Sequence, residues 1–426
     1  MKKSAINLVV ADMGYGHQRA AYPLLKLGGG LAINISDYQG MSAWEKKYWQ
    51  ENLESYEKIS RFKKVPLLGN LVFAVMDSLQ KIQDFYPFRD LSSPTIQQKY
   101  FYESIKRGLG KNLIERLNKK PRPLVTTFFV AAYIAEYHNY AGDIYCVVCD
   151  ADASRAWAAL KPKNSRIKFF VPSEKVKTRF LMYGVKPENI IISGFPLPLE
   201  NIGVKDEIAC RDLAQRIKNL DPSGLYQGKY GSLLNKLFSG YSNLPKRPLT
   251  ITYAVGGAGA QAEIGAIIIK RLALKIKNKE IKVNLVAGAR AEVKKYFEKE
   301  IKINGLKLGQ GVEIIFSPKK DDYFKKFNSC LEKTDILWTK PSELSFYCAL
   351  GLPIIMSPPV GSQEVFNREW LLTVGAGVDA YDAEYVNEWL IDLLKTGRLA
   401  RAAVDAFLNA ERRGTYNIAR SLGISL

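Results

Sequence analysis

Histidine is almost missing from this chain: among 426 residues there are two, His17 and His138. A histidine-rich metal centre is therefore excluded, and each histidine can be weighed on its own. Cysteine is scarce as well. The five cysteines, Cys146, Cys149, Cys210, Cys330 and Cys348, are odd in number and scattered, which fits a reducing compartment and excludes a disulfide-built fold. Cys146 and Cys149 form an isolated CxxC in an apolar run; side chains three apart on a strand face opposite ways, which argues against a redox or zinc pair. Long apolar runs are also lacking. The stretch 124–135 is too short to span a bilayer. Residues 1–4 lead straight into a short strand-like run, so no signal peptide is read there, and a cytoplasmic protein, at most peripheral to a membrane, is expected.

Acidic residues are under-represented. Sixty-two Lys and Arg face 42 Asp and Glu, a formal net charge of +20. A field of that sign attracts phosphate-bearing substrates, anionic lipid or nucleic acid. The excess recurs in three stretches, 99–122, 155–186 and 270–307. No nucleic-acid motif accompanies it, and no nucleic-acid partner is expected. With 47% hydrophobic and 24% charged residues the chain is globular, and its length suits two or three domains.

Two segments repeat one pattern. Residues 6–11 read as a strand, followed by Gly14-Tyr15-Gly16 and a helical stretch from His17. Residues 249–255 read as a strand, followed by Gly256, Gly257 and Gly259 and a helical run to Leu272. Each is followed by a further strand candidate. Alternating strands and helices predict α/β domains with parallel sheets, and two openings half a chain apart predict two Rossmann-like halves. The expected division is 1–200, with an aromatic and basic insertion at 36–109; a turn-rich linker at 201–247; 248–382; and C-terminal helices at 383–426 packing back toward the first domain.

Several residues stand where chemistry is possible. The turn Gly14 to His17 can bring backbone close to a ligand at a helix start, and His17 can act as a general base or hold an acceptor hydroxyl; a plain structural turn is the alternative. Arg19 occupies the place of the third glycine of a dinucleotide fingerprint. The turn Gly256, Gly257, Gly259, Gln261 is the better phosphate candidate because it follows a clean strand; the next strand ends at Arg290 and not at the acid that an NAD site needs, so a nucleotide diphosphate fits better than NAD. Asp150 and Asp152 follow an apolar strand; a base or a helix cap is favoured over a metal ligand. Thr339, Lys340, Ser342 and Glu343 lie at a strand-to-helix turn. Lys340 could neutralise a leaving diphosphate and Glu343 could bind a ribose diol, unless Ser342 and Glu343 only cap the helix. Gln363, Glu364 and Asn367 follow the next strand.

These motifs, in this order, resemble the two-domain glycosyltransferases of the GT-B fold, in particular the branch of diacylglycerol glycosyltransferases and monogalactosyldiacylglycerol synthases. The resemblance rests on residues 14–21, 150–157, 170–174, 184–190 and 193–196, the Gly256-Gly257 turn, Thr339-Lys340-Pro341, and Pro359, Gly361, Gln363 and Glu364. It implies two Rossmann-like domains facing across a cleft. It implies inverting transfer from a UDP-sugar, as co-substrate, to a lipid hydroxyl, with no protein-bound metal or other cofactor. Under it, Asp150 or His17 is the base, and Gly14, Gly16 and Trp157 line the acceptor side. The Gly256 turn holds diphosphate, Phe316 lies by the uracil, and Gln363 and Glu364 hold sugar hydroxyls. The sequence departs from the family where Ser342 and Glu343 replace a glycine pair, where Phe346 stands in place of the ribose-binding glutamate, and where Ser154 replaces a histidine. Either Glu343 serves the ribose from one helical turn earlier or ribose binding is lost. The aromatic and basic residues 44–76 suit an anionic membrane surface, or else a buried helical subdomain. The alternatives are a GT-B relative acting on a soluble substrate, as a transferase or epimerase, and a non-catalytic nucleotide-sugar-binding relic.

Overall fold

The computed structural model describes residues 4–12, 14–62, 82–241, 244–256, 259–359 and 361–426. The chain divides into two compact units. The first takes residues 1–196, 361–366 and 413–426; the second takes 197–360 and 367–412.

The first unit is built on six parallel strands: β1 (Asn7–Val10), β2 (Ile33–Asn34), β3 (Leu124–Thr126), β4 (Ile144–Val147), β5 (Lys168–Val171) and β6 (Ile190–Ile192), in the order β2-β1-β3-β4-β5-β6. The strands are short and mostly apolar, as expected for a sheet covered on both faces. Ile6, Leu8, Val125, Val147 and Phe170 form its core with Leu24 and, from the end of the chain, Ile418 and Ala419. The C-terminal helix Gly414–Ser421 is held there by Asn417, whose Nδ2 donates to Ser193 O at 2.9 Å.

The second unit repeats the plan with β7 (Leu249–Ala254), β8 (Ile281–Gly288), β9 (Val312–Phe316), β10 (Ile336–Thr339), β11 (Ile354–Met356) and β12 (Gly377–Asp379), in the order β12-β11-β10-β7-β8-β9, again all parallel. Both sheets are therefore Rossmann-like, and the fold class is that of the GT-B proteins. Each sheet reverses its strand order once, between β1 and β3 in the first unit and between β7 and β10 in the second. Ligands of open α/β sheets bind outside the carboxyl ends of the strands at such a reversal.

Residues 201–247, read from their turn residues as a linker, contain two helices of the second unit, Glu207–Leu220 and Leu225–Leu237. The signal at residues 221–224 is the turn between them. Asp221 accepts from the backbone N–H groups of Tyr226 and Gln227 at 3.1 and 2.8 Å, and Gly224 supplies a left-handed cap. Arg216 is buried and donates to the carbonyls of Thr334, Leu350 and Leu331, tying the first of these helices down. Of the C-terminal stretch 383–426, only residues 413–426 group with the first unit; the helices Val386–Lys395 and Arg398–Asn409 belong to the second.

In the insertion, the helix Ala43–Phe62 turns Tyr48 and Trp49 inward and leaves Trp44 exposed. Residues 63–81, including the rest of the 44–76 aromatic segment, lie outside the described residues. Among the described residues no helix is long and apolar enough to cross a membrane.

Candidate functional site

At the strand reversal of the first unit, β1 runs into Gly14, whose φ of 84° suits a residue without a Cβ, and then into the seven-residue helix Tyr15–Ala21. Gly16 lies in that helix one residue before His17. The loop is braced by Gln18 Nε2 donating to Asp12 Oδ1 at 2.8 Å. His17 is half-buried. Its Nδ1 meets Thr127 O at 2.5 Å, and its own carbonyl accepts from Thr127 Oγ1 at 2.7 Å. The ring lies edge-on to Phe128, with centroids 5.2 Å apart, and 5.9 Å from Trp157. Cys149 Sγ, two residues past the end of β4, is 3.9 Å from His17 Nδ1.

Asp150 follows Cys149 directly and is half-buried. It does not cap a helix: the next helical turn, Arg155–Trp157, starts after Ser154. Asp152 has a different fate. It is buried and takes a two-pronged ion pair from Arg179, whose Nε and Nη2 donate to Oδ1 and Oδ2 at 2.9 and 2.8 Å, and its Oδ1 also accepts from Ala153 N. The Asp-x-Asp pattern thus splits into a half-buried Asp150 and an Asp152 inside the wall. Arg155 is buried too, donating to Ser92, Ala158 and Ala159 carbonyls. Two of the cations in the basic run 155–186 are therefore internal. Cys146 is buried in β4, and burial pushes its thiol well up, so it is an inert core residue. Among the described residues no group of three or more His, Cys, Asp or Glu could hold a metal ion.

At the reversal of the second unit, the turn after β7 packs against Lys340 from the end of β10. A Cβ on Gly256 would sit 2.6 Å from Lys340 Cε and 3.4 Å from Nζ. On the other flank a Cβ on Gly259 would sit 3.3 Å from Arg290 Cδ. The Lys340 side chain thus packs beside Gly256 and the Arg290 side chain beside Gly259, and Arg290 Nη1 also lies 3.4 Å from Glu292 Oε1. Gly257 lies outside the described residues. Gln261 follows in the left-handed region, caps the helix Ala262–Arg271, accepts at its carbonyl from Tyr253 Oη, and donates from Nε2 to Pro358 O at 3.2 Å. It ties the turn after β7 to the turn after β11. Thr339 is buried, its hydroxyl donating to Ala254 O across the same reversal.

The remaining candidates lie further out. Phe316 ends β9 one strand beyond Arg290, with Lys294 Nζ 5.7 Å from its ring centre. Ser342 caps the 3₁₀ helix Glu343–Leu350 through Leu344 N, and Glu343 is its half-buried first residue. Phe346 is buried against Trp370, with centroids 4.8 Å apart. Its position points into the core, so a carboxylate there would not reach a ligand without a change of packing. Gln363 and Glu364 stand in the first turn of the helix Ser362–Thr373 and group with the first unit; Asn367, one turn on, is buried and groups with the second.

Sequence reasoning missed Thr127, Phe128 and Cys149 as partners of His17. A polar pair, Thr126 and Thr127, closing an apolar strand was the available signal.

No family model matches the chain. Over 290 residues it is 21% identical to processive diacylglycerol beta-glucosyltransferase of Bacillus subtilis, a match covering 67% of this chain and 64% of that protein. The chain thus spans under two thirds of the length of that relative. Its fold is similar to that of MnaA of S. aureus solved with UDP (TM-score 0.50, 11% identity, 99% and 98% of the two chains). It is also similar to UDP-GlcNAc 2-epimerase of Neisseria meningitidis solved with UDP-GlcNAc (TM-score 0.50, 13% identity, 98% and 99%). The chain is therefore glycosyltransferase-like in sequence and carries a GT-B fold.

Proposed function

We propose that the protein transfers a sugar from a UDP-sugar to a hydroxyl acceptor with inversion, and that the acceptor is a membrane lipid. The observation that carries the donor half is the packing of Lys340 beside Gly256 and of Arg290 beside Gly259 at the strand reversal of the second unit. Two cations lie beside the backbone there, Lys340 and Arg290, the latter also 3.4 Å from Glu292 Oε1, where charge develops on a departing diphosphate. Glu343 is the acid nearest in sequence for the ribose diol. Gln363 and Glu364 are assigned to sugar hydroxyls, Phe316 to the uracil, and the chain needs no cofactor of its own in this scheme.

The acceptor half rests on His17. A lipid hydroxyl is a poor nucleophile until a base takes its proton. As the hydroxyl oxygen attacks C1, its proton passes to His17 Nε2, the C1–oxygen bond to diphosphate breaks, and UDP leaves with the electron pair. Asp150, next to Cys149 and so close to the same edge, is the second candidate for this proton. Phe128 and Trp157 give the acceptor side an aromatic wall.

A lipid acceptor is supported by the match to a diacylglycerol glucosyltransferase, by the +20 charge, and by large apolar side chains left exposed on the first unit: Trp44, Ile96 and Tyr100. Such residues beside lysines suit a peripheral position on an anionic membrane face. The test is transfer of label from UDP-glucose, UDP-galactose and UDP-N-acetylglucosamine to diacylglycerol in anionic vesicles, with His17→Ala and Asp150→Asn beside the wild type. Loss of transfer in at least one variant, with UDP binding retained, is expected. Full turnover in both refutes the site. Interconversion of free UDP-sugars without any acceptor would replace transfer by epimerisation.

A further inference from the structure

We propose that Thr127 is the positioning residue that makes His17 a base through Nε2. The inference rests on the reading of His17 as proton acceptor and adds what fixes its ring.

The tautomer follows from the partner. A backbone carbonyl only accepts, so the 2.5 Å contact between His17 Nδ1 and Thr127 O requires the proton on Nδ1. The lone pair is then left on Nε2. A bare Nδ1 would set two lone pairs against each other at that distance. Cys149 does not change this, because its weak S–H donor has Thr127 O and Val147 O at 3.6 and 3.5 Å.

Thr127 holds His17 twice. Its carbonyl takes the ring proton, and its hydroxyl donates to the His17 carbonyl, clamping the backbone that carries the ring. Thr127 is itself immobilised: it is fully buried, it follows β3 without a break, and Thr126 Oγ1 accepts from Phe128 N across it at 3.1 Å. Phe128 and Trp157 limit ring rotation. The sheet order explains why these residues meet. Thr127 and His17 are 110 residues apart in sequence, but they leave adjacent strands at the one place in the first sheet where the order reverses.

The chain carries its own control. His138 Nε2 meets Leu109 O at 3.0 Å, so the second histidine has the opposite tautomer. Nitrogen-15 imidazole spectra of the full chain near pH 8 test this directly, with His138→Gln to assign the two rings. His17 is expected to show a protonated Nδ1 and a pyridine-like Nε2, and His138 the reverse. A pyridine-like Nδ1 on His17 overturns the proposal.

Turnover gives the second readout. Thr127→Val keeps the shape and the carbonyl but loses the hydroxyl clamp. It is expected to lower kcat about 10- to 100-fold, with the donor KM within about twofold, because a displaced base affects the chemical step. Thr127→Ser, which keeps the hydroxyl, is expected to recover most of the rate. If His17→Ala abolishes transfer while Thr127→Val leaves kcat unchanged, the positioning role alone is overturned. If His17→Ala leaves transfer intact, the base assignment falls and this proposal falls with it.

Discussion

Replacing Arg179 by Met removes the cation from a fully buried ion pair. Both side chains have no exposure, and Asp152 receives two guanidinium N–H groups and one backbone N–H. Without Arg179 the carboxylate keeps only the Ala153 N–H in a site closed to water. Breaking a buried pair from one side costs about 3–5 kcal/mol, because the other charge is stranded. Arg179 also lies 5.0 Å from the Phe85 ring centre, a contact that Met replaces only in part. For a unit of about 200 residues each kcal/mol moves the melting point by about 2–4 °C, so the transition of the first unit is expected to fall by about 6–20 °C. The loss reaches the site, because Asp152 anchors the segment that leaves β4 through Asp150. Differential scanning calorimetry measures it. The double variant Asp152→Leu, Arg179→Met is expected to be less damaged than the two single changes added together, since neither charge is then left alone. A single variant that melts within about 2 °C of the wild type refutes the reasoning.

Two further outcomes follow from the same packing. Gly414→Ala would place a Cβ 2.1 Å from Phe195 O and 2.5 Å from its carbonyl carbon, backbone atoms that cannot rotate aside; a loss of about 1–3 kcal/mol is expected in a urea melt. His138 is held below its ordinary pKa by burial, which outweighs the opposing bond to Leu109 O. The unfolded chain then binds this proton more readily than the folded one, so its contribution to stability is present above the unfolded pKa and is lost as pH falls through the folded value. His138→Gln is expected to flatten the stability change on the acidic side of neutrality, measured by thermal melts at stepped pH; an unchanged slope contradicts it.

Much of the fold was legible because its signals are local. An apolar run, a glycine turn and a helical pattern announce β1 and β7 within a dozen residues, and the restart at β8 and β10 follows the same rule. Gly256 and Lys340 were legible as neighbours in space because each stands at a strand end of the same sheet. What was not legible depends on strand order or on burial. Asp221, Pro222, Ser223 and Gly224 are turn formers, and only the packing of Arg216 distinguishes a helix pair from a linker. Arg155 and Arg179 have the composition of a solvated face, yet each is internal because carbonyls or a carboxylate await it. Thr127 meets His17 through the reversal between β1 and β3, which no local pattern encodes.

The central claim is that the turn after β7, with Lys340 over Gly256, binds a nucleoside diphosphate. Titration calorimetry with UDP, beside NAD, tests it most directly. The account predicts UDP binding, no comparable NAD binding, and affinity about 10- to 100-fold weaker in Lys340→Ala, the loss expected for a charge-assisted hydrogen bond. It also predicts weaker binding in Gly256→Ala, whose methyl would displace the lysine chain. UDP binding that neither substitution changes, or no binding in the wild type, contradicts it.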